Sequence, residues 1–300
     1  MLRESFLIWL VLTVVCGSVY AAHDSDDAAR ERESKQWTGR RLTKALEIRQ
    51  EVNVQEIQLR EVLLRLQEQS GICIVVDRRI DPSQRLTLST GRLSTDEVLR
   101  RLAAEIPNAG FSVNRAFVYI GPVATSQRLR TLCESQRSMI FDHRRQFDRE
   151  IYRKLSGVRS LVWDELTSPR DIFFSLAADA DLTVVNPDAV PYDLWHAGRV
   201  PAMPFAESAT MLLCQFDLTF VIDAASAELT IVPMPEVVLL ERRHRVLRRH
   251  RAAAERYLAE NLPELDVKWE RSGVRVRATW EEHKAIRTWL SDSEQGSSKR

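Results

Sequence analysis

The sequence predicts an α+β protein built from small modules, and three observations lead to this prediction. Segments in which apolar residues recur every three or four positions alternate with short apolar segments, so helices and strands are mixed along the chain. The motif Arg60-Glu61-Val62 corresponds to Arg170-Asp171-Ile172, 110 positions later, and similar residues follow at the same offset. A shorter helix-and-hairpin pattern follows Pro235. We therefore predict two tandem β-α-β-β-α-β-β modules, joined by a helical linker and followed by a β-α-β-β-α unit.

The N-terminus has the order of residues that is typical of a secretory signal peptide. Arg3 precedes an apolar stretch at residues 6–15, and small residues follow as far as Ala22. This stretch is too short for a helix that spans a bilayer, which needs roughly 20 apolar residues. We expect residues 1–21 to be a cleaved signal peptide, residues 22–45 to be a flexible leader, and the mature protein to be periplasmic.

The cysteines allow two alternatives. Cys16 could carry a lipid that associates the protein with the outer membrane, although bulky Val15 before it departs from the lipobox pattern. Cys73, Cys133 and Cys214 lie far apart in apolar stretches, which favours buried thiols. A disulfide between two of them is the alternative in an oxidising compartment.

Module 1 is assigned to residues 46–123. Val62 and Leu66 at helical spacing indicate its first helix, which ends at Gly71 because glycine enters left-handed geometry freely. Residues 94–97, Ser-Thr-Asp-Glu, form a capping box that opens the second helix. Its strands are predicted at residues 52–54, 72–76, 85–89, 111–113 and 117–120.

Residues 124–157 are highly charged, with apolar residues at helical intervals, and are predicted to form one or two connecting helices. Module 2, residues 158–234, repeats the order of module 1. Ser168 and Pro169 combine an N-cap with a proline at the first helical position, and a second helix is expected at residues 204–215. Its strands are predicted at residues 160–163, 182–185, 218–222 and 229–232.

The third unit, residues 235–291, is assigned a first strand and a first helix at residues 236–241 and 246–262. A hairpin is predicted at residues 266–278, and a capping box then opens the last helix. Residues 292–300 are polar and are expected to be a disordered tail.

The stretches Leu-Arg-Glu-Val-Leu from Leu59 and Gly-Ile-Cys-Ile-Val-Val-Asp from Gly71 resemble the secretin and TonB short N-terminal domain. Module 2 is similar but degenerate, with Asp181 at the position of Gly71, and residues 279–290 resemble the KH-like secretin N-domain. In this family a periplasmic module precedes a secretin pore or a TonB-dependent outer-membrane receptor. The resemblance implies binding in the cell envelope and not transport, because the pattern of a pore domain or a closed barrel is not found.

Composition and motifs do not favour catalysis. The 43 basic and 42 acidic residues give a formal charge of +1, which is no reason to expect a nucleic-acid or membrane partner. Phosphate-binding loops, nucleophile elbows and paired metal ligands are not recognised, and His283 is expected on an exposed helix face. The KH-like order would suggest nucleic acid, but its Gly-X-X-Gly loop is absent. We expect no enzymatic activity, no cofactor, no metal and no nucleic-acid partner.

Two groups of residues are candidates for partner binding. Tyr192 and Trp195 belong to an aromatic insertion that could anchor an interface, or could cover the core of module 2. An arginine cluster in the third unit could contact an acidic protein or an anionic lipid or polymer, or could be a solvated helix face. The cluster comprises Arg242, Arg243, Arg245, Arg248, Arg249 and Arg251.

The predicted strands at residues 85–89 and 117–120 are short and half apolar, so we expect exposed edges that accept a strand from a partner. The expected function is that of an exported adaptor whose partners are envelope proteins, such as a secretin, an outer-membrane receptor or a secretion assembly. The alternative is a free-standing signalling relay to an inner-membrane anti-sigma regulator.

Overall fold

Helices and strands alternate through residues 36–298, the part of the chain that the computed structural model describes. This composition confirms the predicted α+β class. No helix in this part is both long and apolar enough to cross a membrane. The predicted signal peptide, Cys16 and residues 22–35 of the predicted leader lie outside the described residues.

Unit one comprises residues 40–122, and β7 is the central strand of its main sheet. Its elements are α1 (Arg40–Glu47), β1 (Arg49–Gln50), β2 (Asn53–Gln58), α2 (Leu59–Ser70), β3 (Ile74–Val76), β4 (Arg85–Ser89), β5 (Leu93–Ser94), α3 (Thr95–Ala104), β6 (Ala109–Val113) and β7 (Val118–Pro122). Strand β7 pairs with β3 in parallel and with β6 antiparallel, and β2 and β4 form a separate antiparallel pair. The central place of β7 follows from its sequence, since Val118, Tyr119 and Ile120 are all fully buried.

Helix α1 corrects the prediction of a flexible leader that extends to residue 45. Leu42, Ala45 and Leu46 form one apolar face of the helix and are buried in the core of unit one. The indole nitrogen of Trp37 donates a hydrogen bond of 2.9 Å to the carbonyl of Ser70, which fixes the chain before the helix. The charged residues between these apolar positions make the composition polar, although the spacing is that of an amphipathic helix.

Two helices, α4 (Val123–Asp142) and α5 (Arg149–Ser156), lead from unit one to unit two, residues 158–233. Unit two contains β8 (Val158–Trp163), α6 (Pro169–Asp179), β9 (Thr183–Val184), β10 (Gly198–Pro204), α7 (Phe205–Leu213), β11 (Leu218–Asp223) and β12 (Glu228–Pro233). Its strands pair as in unit one. Strand β12 is central, with β9 parallel and β11 antiparallel to it, and β8 and β10 form a separate antiparallel pair.

One apolar core, distinct from the core inside unit one, joins part of unit one to the connecting helices and unit two. It includes Phe117 and Tyr119 of unit one, Leu129 of α4, and Phe173 and Phe220 of unit two. Helix α4 packs against both β6 and α7. The segment predicted as a linker is therefore a structural element that both units share.

Unit three contains β13 (Leu240–Arg245), α8 (Arg251–Asn261), β14 (Asp266–Glu270), β15 (Gly273–Ala278) and α9 (Trp280–Ser298), with β15 central in its antiparallel sheet. Its first strand and first helix lie several residues later than the predicted 236–241 and 246–262. Leu240, His244 and Val246 are buried and Glu241, Arg243 and Arg245 are exposed, which is the alternation of a strand and not of a helix. Helix α9 continues to Ser298, so the predicted disordered tail is helical over most of its length.

Unit three is attached to α4 through the first residue of α9. The Trp280 amide donates a hydrogen bond of 3.0 Å to the hydroxyl of Thr131. The guanidinium groups of Arg130, Arg242 and Arg287 lie 4.5–4.7 Å from the centre of the Trp280 ring. The contact of Arg130 on α4 with Trp280 on α9 therefore adds a cation–π interaction between α4 and unit three.

Candidate functional site

A cleft of about 860 Å³ separates unit one from unit two, and we call it the inter-unit cleft. One wall is formed by β3 and the end of α2. The other wall is formed by residues 193–200 together with Trp163. This volume is typical of ligand-binding clefts in proteins.

Strand β3 presents its free edge to the inter-unit cleft. It is the terminal strand of its sheet, and the carbonyl of Cys73 and the amide of Asp77 make hydrogen bonds of 2.8 and 2.9 Å to β7. Because successive residues of a strand turn their backbone groups to opposite sides, those of Ile74 and Val76 point away from β7. The edge therefore offers backbone donors and acceptors to an occupant of the cleft.

Two glutamine side chains bind amides along this edge. The Oε1 atom of Gln67, on α2, accepts a hydrogen bond of 2.9 Å from the Ile74 amide. The Oε1 atom of Gln215, from unit two, accepts one of 3.0 Å from the Arg78 amide. The Val76 amide lies between these two amides and donates to neither glutamine.

Aromatic side chains build the opposite wall. The Trp195 ring stacks on Phe216, with the centroids 6.2 Å apart and an interplanar angle of 3°, and lies 6.0 Å from Trp163. Trp195 is half-buried, so it both covers the core of unit two and lines the cleft. Tyr192 of the same predicted pair is 74% exposed and is not part of the cleft lining.

An ion pair spans the two walls of the cleft. Arg78 Nε lies 2.7 Å from Asp193 Oδ2, and its guanidinium also lies 4.8 Å from the centre of the Phe216 ring. Burial alone would raise the pKa of Asp193, but the hydrogen bonds from Arg78 and from the Leu194 amide hold it below its ordinary value. The carboxylate therefore stays charged at neutral pH.

A second polar network, which we call the Arg79 clamp, holds the end of β3 against unit two. Arg79 binds both carboxylate oxygens of buried Asp77, at 2.8 and 2.9 Å, and reaches Asp217 of unit two at 2.7 Å. It also donates to the hydroxyl of Thr125 on α4 at 3.1 Å, and the Tyr119 hydroxyl donates to Asp77. The hydrogen bond to Asp77 is the main cause that raises the pKa of Arg79 above its ordinary value. The two walls of the cleft are thus fixed before any occupant arrives.

The thiol that lines the cleft is poorly suited to act as a nucleophile. Burial raises the pKa of the Cys73 thiol to about 12, so this thiol is protonated and weakly nucleophilic at neutral pH. At the rim, His196 Nδ1 lies 2.6 Å from Glu165 Oε1, and both side chains are exposed to solvent. Within residues 36–298 no group of three or more metal-binding side chains occurs. Cys73, Cys133 and Cys214 are free and buried, so the alternative of a disulfide is not found.

The arginine cluster of unit three is not a single helix face. Arg242, Arg243 and Arg245 lie on β13, Arg248 and Arg249 lie in a 3-10 turn, and Arg251 begins α8. Arg242, Arg243 and Arg251 form ion pairs of 2.9, 2.9 and 3.0 Å with Glu134, Glu270 and Glu255. The cluster therefore serves in part to hold unit three together and to attach it to α4.

The prediction that residues 117–120 form an exposed edge is wrong, because β7 is paired on both sides. The Val118 amide donates to β3 in the interior of the sheet, so a proline there would break the core. Strand β4, the other predicted edge, pairs only with β2 and keeps one free side. The edge strand that lines the cleft is β3. Its apolar sequence indicated a buried strand and did not indicate a free edge.

A buried histidine pair in unit three was not predicted. His283 was expected to be exposed but is fully buried, and its Nδ1 atom lies 2.9 Å from Nε2 of His244. Its Nε2 atom lies 3.0 Å from the Leu240 carbonyl. If β13 had been recognised in the sequence, the alternation of its side chains would have placed His244 in the core.

Comparison with known proteins does not assign a family. No protein-family model matches the chain, and no curated protein matches it at a significant level. The function is therefore inferred from the residues of this chain.

Proposed function

We propose that the chain is a non-catalytic, exported binding protein of the cell envelope, an adaptor that recognises its partner in the inter-unit cleft. The observation that carries this proposal is the free edge of β3 in a cleft whose two walls are already fixed. A preformed site loses little conformational entropy on binding, which favours affinity. The protonated thiol of Cys73 supports binding over covalent catalysis.

The envelope location rests on the sequence. The order of residues 1–22 is that of a secretory signal peptide, and residues 59–77 resemble the secretin and TonB short N-terminal domain. Sequencing of the exported protein should give Ala22 as the first residue. An intact Met1 in the membrane fraction would contradict this location.

Site-specific photo-crosslinking in living cells tests the adaptor proposal. A benzophenone amino acid is placed at Leu194, which lines the cleft and is 46% exposed. The matched control is Val237, which is 71% exposed and lies outside the cleft. We expect the Leu194 variant to give one discrete adduct, identified by mass spectrometry as an envelope protein, and the Val237 variant to give none.

The result discriminates between outcomes. A secretin or an outer-membrane protein in the adduct supports the adaptor role, and an inner-membrane regulator supports the signalling relay instead. Absence of an adduct at Leu194, or the same adduct at both positions, would contradict recognition in the cleft. If the protein turned over a substrate, and replacement of one side chain of the cleft abolished that activity, the proposal of a non-catalytic protein would be contradicted.

A further inference from the structure

The open edge of β3 has the length of a short added strand. Residues 74–76 would pair with about three residues of a partner, or roughly 10 Å at 3.3–3.4 Å per residue. The groups that face the cleft are the carbonyls of Ile74 and Val76 and the amide of Val76 between them. Another extended backbone presents donors and acceptors at this spacing.

One glutamine occupies the place that an acceptor of an added strand would take. Gln67 binds the Ile74 amide of β3, whereas Gln215 binds the Arg78 amide in the turn after the strand. Each carboxamide satisfies a donor that would otherwise face the cleft without a partner. An unpaired buried donor costs about 1–3 kcal/mol, so the side chains stabilise the empty edge.

The opposite wall suits the side chains of such a strand. Trp163 and Trp195 present aromatic surface, and Val200 and Met211 add buried aliphatic surface. Side chains of a strand alternate between two sides, so every second residue of the segment would meet this wall. Apolar residues at alternate positions would fit it.

We infer that the occupant of the inter-unit cleft is an extended segment of the partner protein, which adds to β3 as a fourth strand of the sheet β6-β7-β3. This inference rests on the proposed function and names the class of its partner. About three residues of the segment pair with β3, and its side chains at alternate positions are apolar. Its backbone pairs with Ile74 and Val76, and it displaces the carboxamide of Gln67.

Peptide selection followed by affinity measurement tests the inference. Random peptides displayed on phage are selected on the purified full-length protein, and the enriched sequence is synthesised and titrated by fluorescence anisotropy. The variant Val76→Pro removes the amide that faces the cleft and leaves the bonds to β7 intact. The matched control is Val184→Pro, because Val184 also faces outward, on β9, which is an edge strand of unit two and lies outside the cleft.

We expect Val76→Pro to raise the Kd of the peptide at least tenfold and Val184→Pro to change it less than twofold. A second variant, Gln67→Ala, covers the case in which Val76→Pro does not fold. Because the alanine removes a bond that exists only in the empty cleft, it should tighten peptide binding about fivefold. A purely structural role of Gln67 predicts weaker binding.

The outcomes separate this inference from the proposed function. Failure to enrich any peptide, an unchanged Kd in Val76→Pro, or weaker binding to Gln67→Ala would overturn strand addition. If strand addition fails in these measurements but the Leu194 variant still gives its crosslink in cells, the cleft binds its partner by another mode. Loss of both the peptide and the crosslink would overturn the proposed function as well.

Discussion

Ion pairs that contain a buried carboxylate connect the units of this protein. Arg79 joins the end of β3 to unit two, and Glu134 on α4 is bound by Arg115 of unit one at 2.8 Å and by Arg242 of unit three at 2.9 Å. Burial alone would raise the pKa of Glu134, but its arginine partners hold it below the ordinary value. A buried charge destabilises the folded protein unless an opposite charge is paired with it. Removal of one residue of a buried ion pair therefore leaves the other with its full desolvation cost.

The Arg79 clamp gives the first prediction at this scale. Arg79→Ala leaves the buried carboxylate of Asp77 without its counter-charge and should lower the free energy of unfolding by about 3 kcal/mol. The control is Arg65→Ala, whose pair with Glu61 is about half exposed and should contribute less than about 1 kcal/mol. Urea unfolding followed by circular dichroism measures both. Equal effects of the two variants would show that the clamp does not stabilise the cleft.

The histidine pair predicts how stability depends on pH. Burial, the neighbouring His283 and the positive charges of Arg287 and Arg242 lower the pKa of His244 to about 4. Burial also lowers the pKa of His283, although the Leu240 carbonyl acts in the opposite direction. Both rings are thus neutral in the folded protein and take up protons more readily when unfolded.

Stability of unit three should therefore be complete above pH 6.5 and should decrease as the pH falls from 6.5 towards 4. The measurement is the urea midpoint from tryptophan fluorescence at a series of pH values. His244→Gln removes one of the two titrating groups and should lose less stability over this interval. The matched control His196→Gln, at an exposed site, should behave as the parent protein does. A parent midpoint that is constant from pH 7 to 4.5 would contradict this explanation.

At the scale of elements, the repeat was readable because it depends on local spacing. Helices α2 and α6 begin at Leu59 and Pro169, and α3 and α7 begin at Thr95 and Phe205, so both pairs keep the offset of 110 residues seen in the sequence. Gly71 and Asp181 end the first helices of the two units with φ values of 69° and 56°. Asp181 thus keeps the left-handed backbone geometry of Gly71. From the sequence alone, the absence of glycine at this position had marked module 2 as degenerate.

Other elements could not be predicted, because local spacing does not show which neighbour lies against a segment. The basic residues around Arg243 suggested a helix face, whereas pairing with β15 makes the segment a strand. Residues 117–120 looked like an edge, but their place between β3 and β6 depends on pairing across 40 or more residues with β3. The cleft combines residues of two units, so its members could not be grouped from sequence alone.

Two core substitutions test whether the units keep separate stabilities. Leu66 and Leu176 occupy corresponding helical positions and lie in different apolar cores. A buried carboxylate should cost several kcal/mol in either place. We expect Leu66→Asp to expose mainly unit one, and Leu176→Asp mainly unit two, to limited proteolysis. Equal protection of both units in either variant would contradict the assignment of two structural repeats.

At the level of the whole molecule, the connecting helices hold the two repeated units on either side of one cleft. Helix α4 shares its apolar core with both units, and the Arg79 clamp holds their facing edges. The sequence predicted a linker here because charged residues dominate its composition. Its buried side, with Leu129 and Cys133, packs in the apolar core that joins the two units.

Amide hydrogen exchange tests whether a partner segment adds to β3 in this cleft. Exchange rates of the parent protein are measured by NMR without peptide and with a saturating amount of the selected peptide. Strand addition predicts that the Val76 amide becomes strongly protected on binding, while the Val184 amide on the edge strand of unit two exchanges at an unchanged rate. Unchanged exchange at Val76, with protection appearing elsewhere on the surface, would contradict it.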